Sequence, residues 1–568
     1  MKEIIEKLKD NDRLLWIGFG LIIFISLILR LTLINFPLWY DEGCSIVAAV
    51  NTFPVGITKY LWNTDLQHTP LYFYILHFIM KIFGDSVVVL RLSSLIVSIA
   101  LLPVTYLVTT KLSSKKVGLI AMLFMGINTF QVLYSIEIRM YPYVILLSLL
   151  AINYLIDYDR TGDKKSLIKL SAVNLLNPYF LTGSIIFVIA QFIIYTSYLD
   201  YKHAESKKIS DYVKYNIFTF LGLIPYFAII THYAIVRSGF LVTDLAKFSL
   251  INFLGMFQNL IACDAGHIHE TRFEPFNISD WTTTVLVFLP VVAIITGMIN
   301  SLKDKEKLTH LLLGIVTLSF VIGVLLSMMG VIAFTGRYLI FITPFIFILS
   351  AIGFSKLNKY ALAAIVTLYS IGCISGFIMT YPKYERIAEY SLKSPADYVK
   401  TYYPGKDNLV IMPFASSVSS YYFKGKNMPK VMPLELFHEV RNPDSKIIYD
   451  ETQKDLLTGE DKYRAFQNII TGYKPISKNL ITYLDSYISK VPKGGYIIWV
   501  VYYSDNYAIL PPNVVRQMYS NLDNVKSSTM TGMISKFDND LIDLLGQRAD
   551  FIGKDRDDSN QFFVFRRR

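Results

Sequence analysis

Between residues 14 and 380 the chain repeats one pattern: a run of apolar residues, then a short polar turn. Such runs lie near 14–34, 86–110, 117–134, 140–157, 167–178, 180–199, 213–234, 281–300, 308–329, 338–354 and 360–380. A helix rises about 1.5 Å per residue, so roughly 20 apolar residues cross the ~30 Å hydrocarbon core of a bilayer. In lipid the backbone must satisfy its own hydrogen bonds, which leaves the helix as the natural form of such a run. The pattern predicts an α-helical polytopic membrane protein with about 11 spans. Composition agrees, since 53% of the 568 residues are apolar and 14% aromatic, too apolar for a soluble chain of this length.

The formal net charge of +11 is a topology signal rather than a nucleic-acid footprint. Its lysines gather in "KLSSKK", "DYDRTGDKK", "YKHAESKKISDYVK", "SLKDKEK" and "SKLNK", the short loops between apolar runs. Basic loops stay in the cytoplasm, so these loops and the N-terminus are assigned there. "MKEIIEKLKDNDR" precedes an apolar run long enough to span and without a small-residue cleavage site, so a retained first helix is expected. An odd number of spans then places everything after Thr380 outside. Cys44, Cys263 and Cys373 share no motif spacing, and neither a zinc site nor a disulfide framework is indicated.

The parity depends on "TPLYFYILHFIMKIFG", Thr69 to Gly84. About 16 residues fall at the low end of the spanning range. The segment is read as a re-entrant or juxtamembrane helix on the outer side, because counting it as a span would put Lys115 and Lys116 outside. Residues 1–383 are thus expected to form the transmembrane domain, with a long first outer loop over 35–85. From 384 to 568 the composition turns mixed and polar. "NLVIM", "KIIYD", "YIIWVVYY" and "FFVFRR" are strand candidates between helical stretches. Short continuous apolar runs suit a sheet covered on both faces, hence an extracytoplasmic soluble α/β domain with its own core.

Ionisable residues collect at the outer boundary of this topology. Asp41 and Glu42 follow the first span in "FPLWYDEGCSIVAAV". "DLQHTPLY" carries Asp65, Gln67 and His68 in the same outer loop. Arg91 stands at the outer end of the second span, "YSIEIRMYPY" brings Glu137 and Arg139 to a tight turn, and "FTGRYLIF" does the same for Arg337 and Tyr338. Charges this close to hydrocarbon usually face a protein cavity or each other.

Each feature has an ordinary reading by itself. An Asp-Glu pair suits any helix N-terminus, and Arg-Tyr pairs anchor span ends. Arg91 can snorkel, Glu137 and Arg139 can simply pair, and His68 is a loop histidine before a proline. Together they suit a reaction in which a hydroxyl is deprotonated while a phosphate leaves. A positioned carboxylate supplies the base, and the planar fork of arginine fits phosphate oxygens. Residues i and i+1 on a helix point about 100° apart, so Asp41 and Glu42 cannot both address one atom. Glu137 is the candidate second carboxylate at the reacting centre.

The acidic pair, "HTPLYFYILHFIMKIFGDSVVVLRLSSLIVS", "YSIEIRMYPYVILL" and "GRYLIFITPFIFILSAIGF" occur in that order. Over about residues 14–380 the chain resembles bacterial and archaeal relatives of the dolichyl-phosphate-mannose protein mannosyltransferases and the lipid A aminoarabinose transferases. These are integral-membrane glycosyltransferases of the GT-C type. The resemblance implies a polyprenyl-phosphate-linked sugar as donor and transfer on the outer face with inversion. It implies Asp41 as catalytic carboxylate, supported by Glu42. Arg91, Arg139 and Arg337 would contact donor phosphate or brace the outer loops, and His68 and Tyr141 match recurrent positions. The chain departs from the pattern at Asn177-Pro178, where relatives often carry a histidine-tyrosine pair. It departs again at Thr69, where the aminoarabinose branch carries lysine.

The energy for transfer lies in the sugar–phosphate bond, so no nucleotide site is required, and no P-loop or Rossmann fingerprint is present. No cofactor is required either, although a divalent metal bridging Asp41 to another carboxylate is compatible with hard oxygen donors. The expected partners are the lipid-linked donor and a lipid, protein or glycan acceptor. A transporter or lipid flippase is the rival from another class. Such proteins show repeated halves and ionisable residues near the midplane, whereas this chain shows no repeat and its candidates sit at one boundary. An anchored interaction protein is the other rival, and eleven spans far exceed what anchoring needs.

Overall fold

The computed structural model describes residues 2–38, 40–64, 68–201, 206–236, 260–261, 281–329, 336–389, 393–412, 421–424, 427–433, 478–502, 542–556 and 560–568. The chain divides into two compact units. The first is built mainly from Met1–Phe36, Gln67–Ile230 and Ala246–Tyr384, the second mainly from Pro37–Leu66 and Glu385–Arg568.

The first unit is helical throughout its described residues. In chain order it contains α1 (Lys2–Leu31), α4 (Leu71–Phe83), α5 (Val87–Leu112), α6 (Lys115–Ile127), α7 (Thr129–Ile136), α8 (Tyr141–Thr161), α9 (Lys164–Phe180), α10 (Ile185–Tyr201), α11 (Ser206–Val236), α12 (Trp281–Ser301), α13 (Lys307–Met328), α14 (Thr343–Phe354) and α15 (Lys359–Glu389). A helix, or a bent pair of helices, stands at each of the eleven predicted spans. Seven are individually long and apolar enough to cross a membrane, or eight if the bent pair α6–α7 is one span. The chain is therefore an integral-membrane protein with the polytopic helical fold expected. The helix at 71–83 has 13 residues and reaches about 20 Å, too short to span. Its Tyr72, Phe73, Leu76 and His77 are buried while Phe78, Ile82 and Phe83 are exposed.

Two breaks shape the unit. α6 and α7 meet at Asn128 with a bend of 62°. Asn128 serves both sides: its Oδ1 accepts from the Gln131 N–H at 2.9 Å, and its N–H reaches the Phe124 carbonyl at 3.1 Å. The second break follows Pro178 in α9. A proline donates no N–H, and the helix gives way to a 3-10 turn, Thr182–Ser184, before α10. Elsewhere the packing is tight enough to need glycine. A Cβ on Gly353 of α14 would overlap the Gly297 carbonyl of α12 and lie 2.9 Å from the Ser301 N. Ser350 of the same helix donates to the Ile294 carbonyl at 2.9 Å. Small residues at such a crossing let backbones approach in lipid, where apolar side chains gain little from each other.

In the second unit, α2 (Tyr40–Ala49) and α3 (Val55–Thr64) accompany α16 (Lys393–Tyr402), α17 (Lys478–Ile488) and a five-stranded sheet of order β2-β1-β3-β5-β4. The strands are β1 (Leu409–Met412), β2 (Lys430–Pro433), β3 (Tyr496–Tyr502), β4 (Ala549–Arg556) and β5 (Asn560–Arg567). β1 runs parallel to β2 and β3, and β5 runs antiparallel to β3 and β4. Leu409, Ile411, Ile497, Trp499 and Phe565 pack with Leu484 and Ile488 of α17. Val410, Ile498, Val500 and Phe562, alternate residues of the same strands, are buried as well. Burial of both faces is why these strands read as unbroken apolar runs. Three of the four predicted strands are present. "KIIYD" lies outside the described residues, and β2 and the polar β4 were not foreseen.

Candidate functional site

Asp41 and Glu42 occupy the first turn of α2, where the unpaired N–H groups and the positive end of the helix dipole favour carboxylates. Their surroundings differ as the helical geometry requires. Glu42 is fully buried, whereas Asp41 is half-buried. The Ser45 hydroxyl donates to the Asp41 carbonyl at 3.0 Å and closes the turn. Upstream, the Leu38 N–H donates to the Tyr422 hydroxyl at 2.6 Å, which ties the approach to α2 to the C-terminal residues of the same unit.

In the first unit, α5 gathers the ends of its neighbours. Arg91, in its first turns, is fully buried. Its Nη1 donates to the carbonyls of Leu33, Ile34 and Phe36 at 3.3, 3.1 and 2.5 Å. These carbonyls follow the end of α1, where Leu33's also accepts from the Phe36 N–H at 3.2 Å, and one guanidinium nitrogen fixes the way the chain leaves that span. These bonds brace the chain where it leaves α1. One turn further on, the Ser94 hydroxyl donates to the Arg139 carbonyl at 3.5 Å.

Glu137, Ile138 and Arg139 form the tight turn between α7 and α8. Glu137 is the C-cap of α7, and its carbonyl accepts from the Arg139 N–H at 2.7 Å. Glu137 and Arg139 are 2% and 3% exposed, so this is not a solvated surface pair. Charged groups so far from water need specific partners. Tyr141 opens α8 beside Pro142, buried and edge-on to Tyr134 at 5.0 Å. Two residues on, Tyr143 stacks on Phe180 of α9 at 5.2 Å and meets Tyr72 of α4 at 5.8 Å. The short helix α4 is thereby fastened to α8. His68, just before it, is buried and lies edge-on to Phe73 at 6.3 Å.

Arg337 and Tyr338 sit in a 3-10 segment, Gly336–Ile342, that leads into α14, and the guanidinium lies 5.4 Å from the Tyr338 ring centroid. Gly183 approaches the Tyr338 carbonyl closely enough that a Cβ there would be 3.4 Å away. Within the first unit the structure thus joins Arg91 and Glu137–Arg139 through α5, Tyr141 with the same turn, and the Arg337 segment with the turn that precedes α10. Asp41 and Glu42 belong to the second unit. Asp65 and Gln67 lie outside the described residues. Among the described residues no group of three or more His, Cys, Asp or Glu could hold a metal ion.

Sequence reasoning passed over two sets of buried polar groups. Arg30, inside the first apolar run, is 1% exposed, with its Nε and Nη1 hydrogen-bonded to Ser98, Ser26 and Gly126. A lone arginine in "ISLILRLTLI" was the available signal. Asn174 of α9 donates to Gln191 of α10 at 2.7 Å, and Asn177 donates to Ser148 of α8 at 2.8 Å, all four fully buried. In the sequence Asn177 stands out only as a departure from the family pattern, and the other amides carry no signal.

The fold is that of ArnT, a GT-C glycosyltransferase. The crystal structure of ArnT from Cupriavidus metallidurans in the apo state superimposes with a TM-score of 0.51 at 9% identity, covering 97% of each chain. Its structure bound to undecaprenyl phosphate gives 0.50 at 9% identity, covering 97% of this chain and 98% of that one. An archaeal oligosaccharyltransferase, AglB from Archaeoglobus fulgidus in complex with an inhibitory peptide and a dolichol-phosphate, gives 0.44 at 13% identity over 86% of this chain and 69% of its own, too distant to argue from. No protein-family model matches the chain, and no curated protein matches it. The chain is thus a polytopic membrane protein that shares the fold of ArnT and carries a C-terminal α/β domain.

Proposed function

We propose that this protein transfers a sugar from a polyprenyl-phosphate-linked donor to an acceptor on the outer face of the membrane, with inversion. The observation that carries the reading is a fold shared with ArnT across nearly the whole of both chains, one ArnT structure being bound to undecaprenyl phosphate. The buried Glu137–Arg139 turn and the Arg337 segment support it, since they offer charged groups at the end of apolar helices, where the phosphate of a membrane-held lipid resides.

In this reading the acceptor hydroxyl gives its proton to the Asp41 carboxylate while its oxygen forms a bond to C1 of the sugar. The bond from C1 to the phosphate oxygen breaks, and its electron pair leaves on the polyprenyl phosphate. Arg139 and Arg337 stabilise that dianionic product by charge-assisted hydrogen bonds. Arg91 holds the frame. Half-buried Asp41 is the better base, and buried Glu42 orients the first turn of α2. Glu137 positions Arg139, and His68, Tyr141 and Tyr338 line the substrate. The described residues offer no cluster of donors for a metal, so no step is routed through one. Residues 384–568 are assigned to the outer face with the N-terminus in the cytoplasm, and the outer domain takes part in acceptor selection.

The test is turnover of a radiolabelled polyprenyl-phosphate sugar pool in membranes carrying Asp41→Asn. Loss of a general base lowers the rate by about 10²- to 10⁴-fold. Transfer at the wild-type rate would remove Asp41 from the mechanism. Retained vectorial movement of lipid without any transfer would favour a flippase instead. Cysteine labelling of residues 384–568 from the cytoplasmic side would overturn the topology.

A further inference from the structure

Arg30 has no part in the transfer as written, yet its environment is unusual for a membrane span. It lies in the last turn of α1 and is 1% exposed. Its Nε donates to the Ser98 hydroxyl of α5 at 2.8 Å. Its Nη1 donates to the Gly126 carbonyl of α6 at 2.9 Å and the Ser26 carbonyl at 3.0 Å, and also meets the Ser26 hydroxyl. Every one of these partners is a neutral oxygen. Ser98 is seven residues beyond Arg91 on α5, so Arg30 lies about 10 Å further along the span than Arg91.

A charge so placed is costly unless something offsets it. Gly126 supplies the offset. It lies in the last turn of α6, where carbonyls lose their helical donors and the dipole is negative. That turn ends at the 62° break between α6 and α7. The Ser26 hydroxyl donates to the same Gly126 carbonyl at 3.1 Å. On the far side of the break, the Asn128 amide donates to the Ile261 carbonyl at 2.6 Å, and the Thr129 hydroxyl donates to the Cys373 carbonyl at 2.8 Å. The break is thus pinned on both sides. α7 has only eight residues beyond it and ends in the Glu137–Arg139 turn. The orientation set at Asn128 is carried along this short helix to the Glu137–Arg139 turn, which Ser94 of α5 also holds.

We propose that Arg30 is a positioning residue: its guanidinium locks the α6–α7 break and thereby aims the Glu137–Arg139 turn at the phosphate of the lipid substrate. The inference rests on the proposed function for the identity of that substrate, but not for the locking itself. Lysine keeps the charge and loses the planar fork, so it cannot hold Ser98 and Gly126 together as arginine does.

The experiment uses the full chain in nanodiscs, with Arg30→Lys, Arg30→Gln and, as reference, Arg139→Ala. Hydrogen exchange of the peptide over residues 128–139 is compared with that of the α8 peptide over 143–155, and undecaprenyl phosphate affinity is measured on the same samples. In R30K the 128–139 amides are expected to exchange about 10-fold faster with the α8 peptide unchanged. Lipid-phosphate affinity is expected to fall about 5- to 10-fold, towards that of R139A. Wild-type exchange at 128–139 in both Arg30 variants overturns the proposal. So does faster exchange with wild-type affinity while R139A loses binding. A global loss of fold in R30K overturns it too, since Arg30 would then hold the whole bundle. Wild-type affinity in R139A would instead sink the phosphate role of Arg139, and the exchange data would still decide the locking.

Discussion

Arg91 Nη1 donates to the Phe36 carbonyl at 2.5 Å, the shortest of three bonds by which one nitrogen gathers the chain just beyond α1. Replacing Arg91 with methionine leaves buried carbonyls at Leu33, Ile34 and Phe36 without that donor. Each buried unsatisfied group costs about 1–3 kcal/mol. A clear fall in the thermal unfolding midpoint of the detergent-solubilised protein is expected, and an unchanged midpoint would show that water replaces the guanidinium.

The α12–α14 crossing should tolerate no side chain larger than hydrogen at Gly353. In Gly353→Ala the new methyl meets the Gly297 carbonyl and the Ser301 N, which are backbone atoms and cannot rotate away. Overpacking of this kind costs about 1–3 kcal/mol or more. Lower yield of folded protein by size-exclusion fluorescence checks it. Gly162→Ala is the contrast: a Cβ there meets nothing within 4 Å, and its cost is the strain of φ 67° alone.

The buried amide pair should behave as interhelical glue. Asn174→Ala removes the donor to Gln191, and Asn174→Ala/Gln191→Ala removes both partners. Interhelical hydrogen bonds in membranes average about 0.6 kcal/mol and reach about 1.7. A double-mutant cycle on unfolding in mixed micelles should return a coupling in that range, and zero coupling would mean that each amide finds another partner.

Tyr398 makes the α/β unit sensitive to alkali. Its hydroxyl donates to Asp555 at 2.5 Å and its ring stacks on Phe562 at 3.8 Å. Burial, then the hydrogen bond and charge of Asp555, push its pKa well above the ordinary tyrosine value. A raised pKa means that the stability is fully present below the unfolded value, about 10, and is lost as pH rises from there towards the folded value. Tyr398→Phe has nothing to ionise. Intrinsic fluorescence of the full chain from pH 9 to 12 should therefore show a shallower alkaline loss in the variant, and identical curves would exclude Tyr398 as the titrating group.

Glu42→Gln and Asp41→Asn should separate in their effects. Glu42 is fully buried in the first turn of α2 and Asp41 is half-buried. If Asp41 takes the proton, D41N loses about 10²-fold or more in kcat with little change in the unfolding midpoint. E42Q should lower the midpoint and reduce kcat less. Reversal of that order would make Glu42 the base.

The sequence by itself determined the class of this protein. Apolar runs of spanning length admit only helices in lipid, so the helical, polytopic fold and the short, non-spanning helix at 71–83 were legible residue by residue. The strands of the α/β unit were legible where both faces are buried, as in "YIIWVVYY". They were not legible in "ADFIGKDR", where β4 is a polar edge whose pairing comes from β5. The divergence of Asp41 and Glu42 followed from helical geometry, although which of them is buried did not. Only the tertiary structure decided what the arginines hold. Arg30 reads as an intruder in an apolar run, and Arg91 as a phosphate contact or a brace. Both are bound to backbone carbonyls from helix ends that lie far from them in sequence. Hydropathy is a local property that any window of residues displays. A hydrogen bond from Arg30 to Gly126 exists only after the helices have packed.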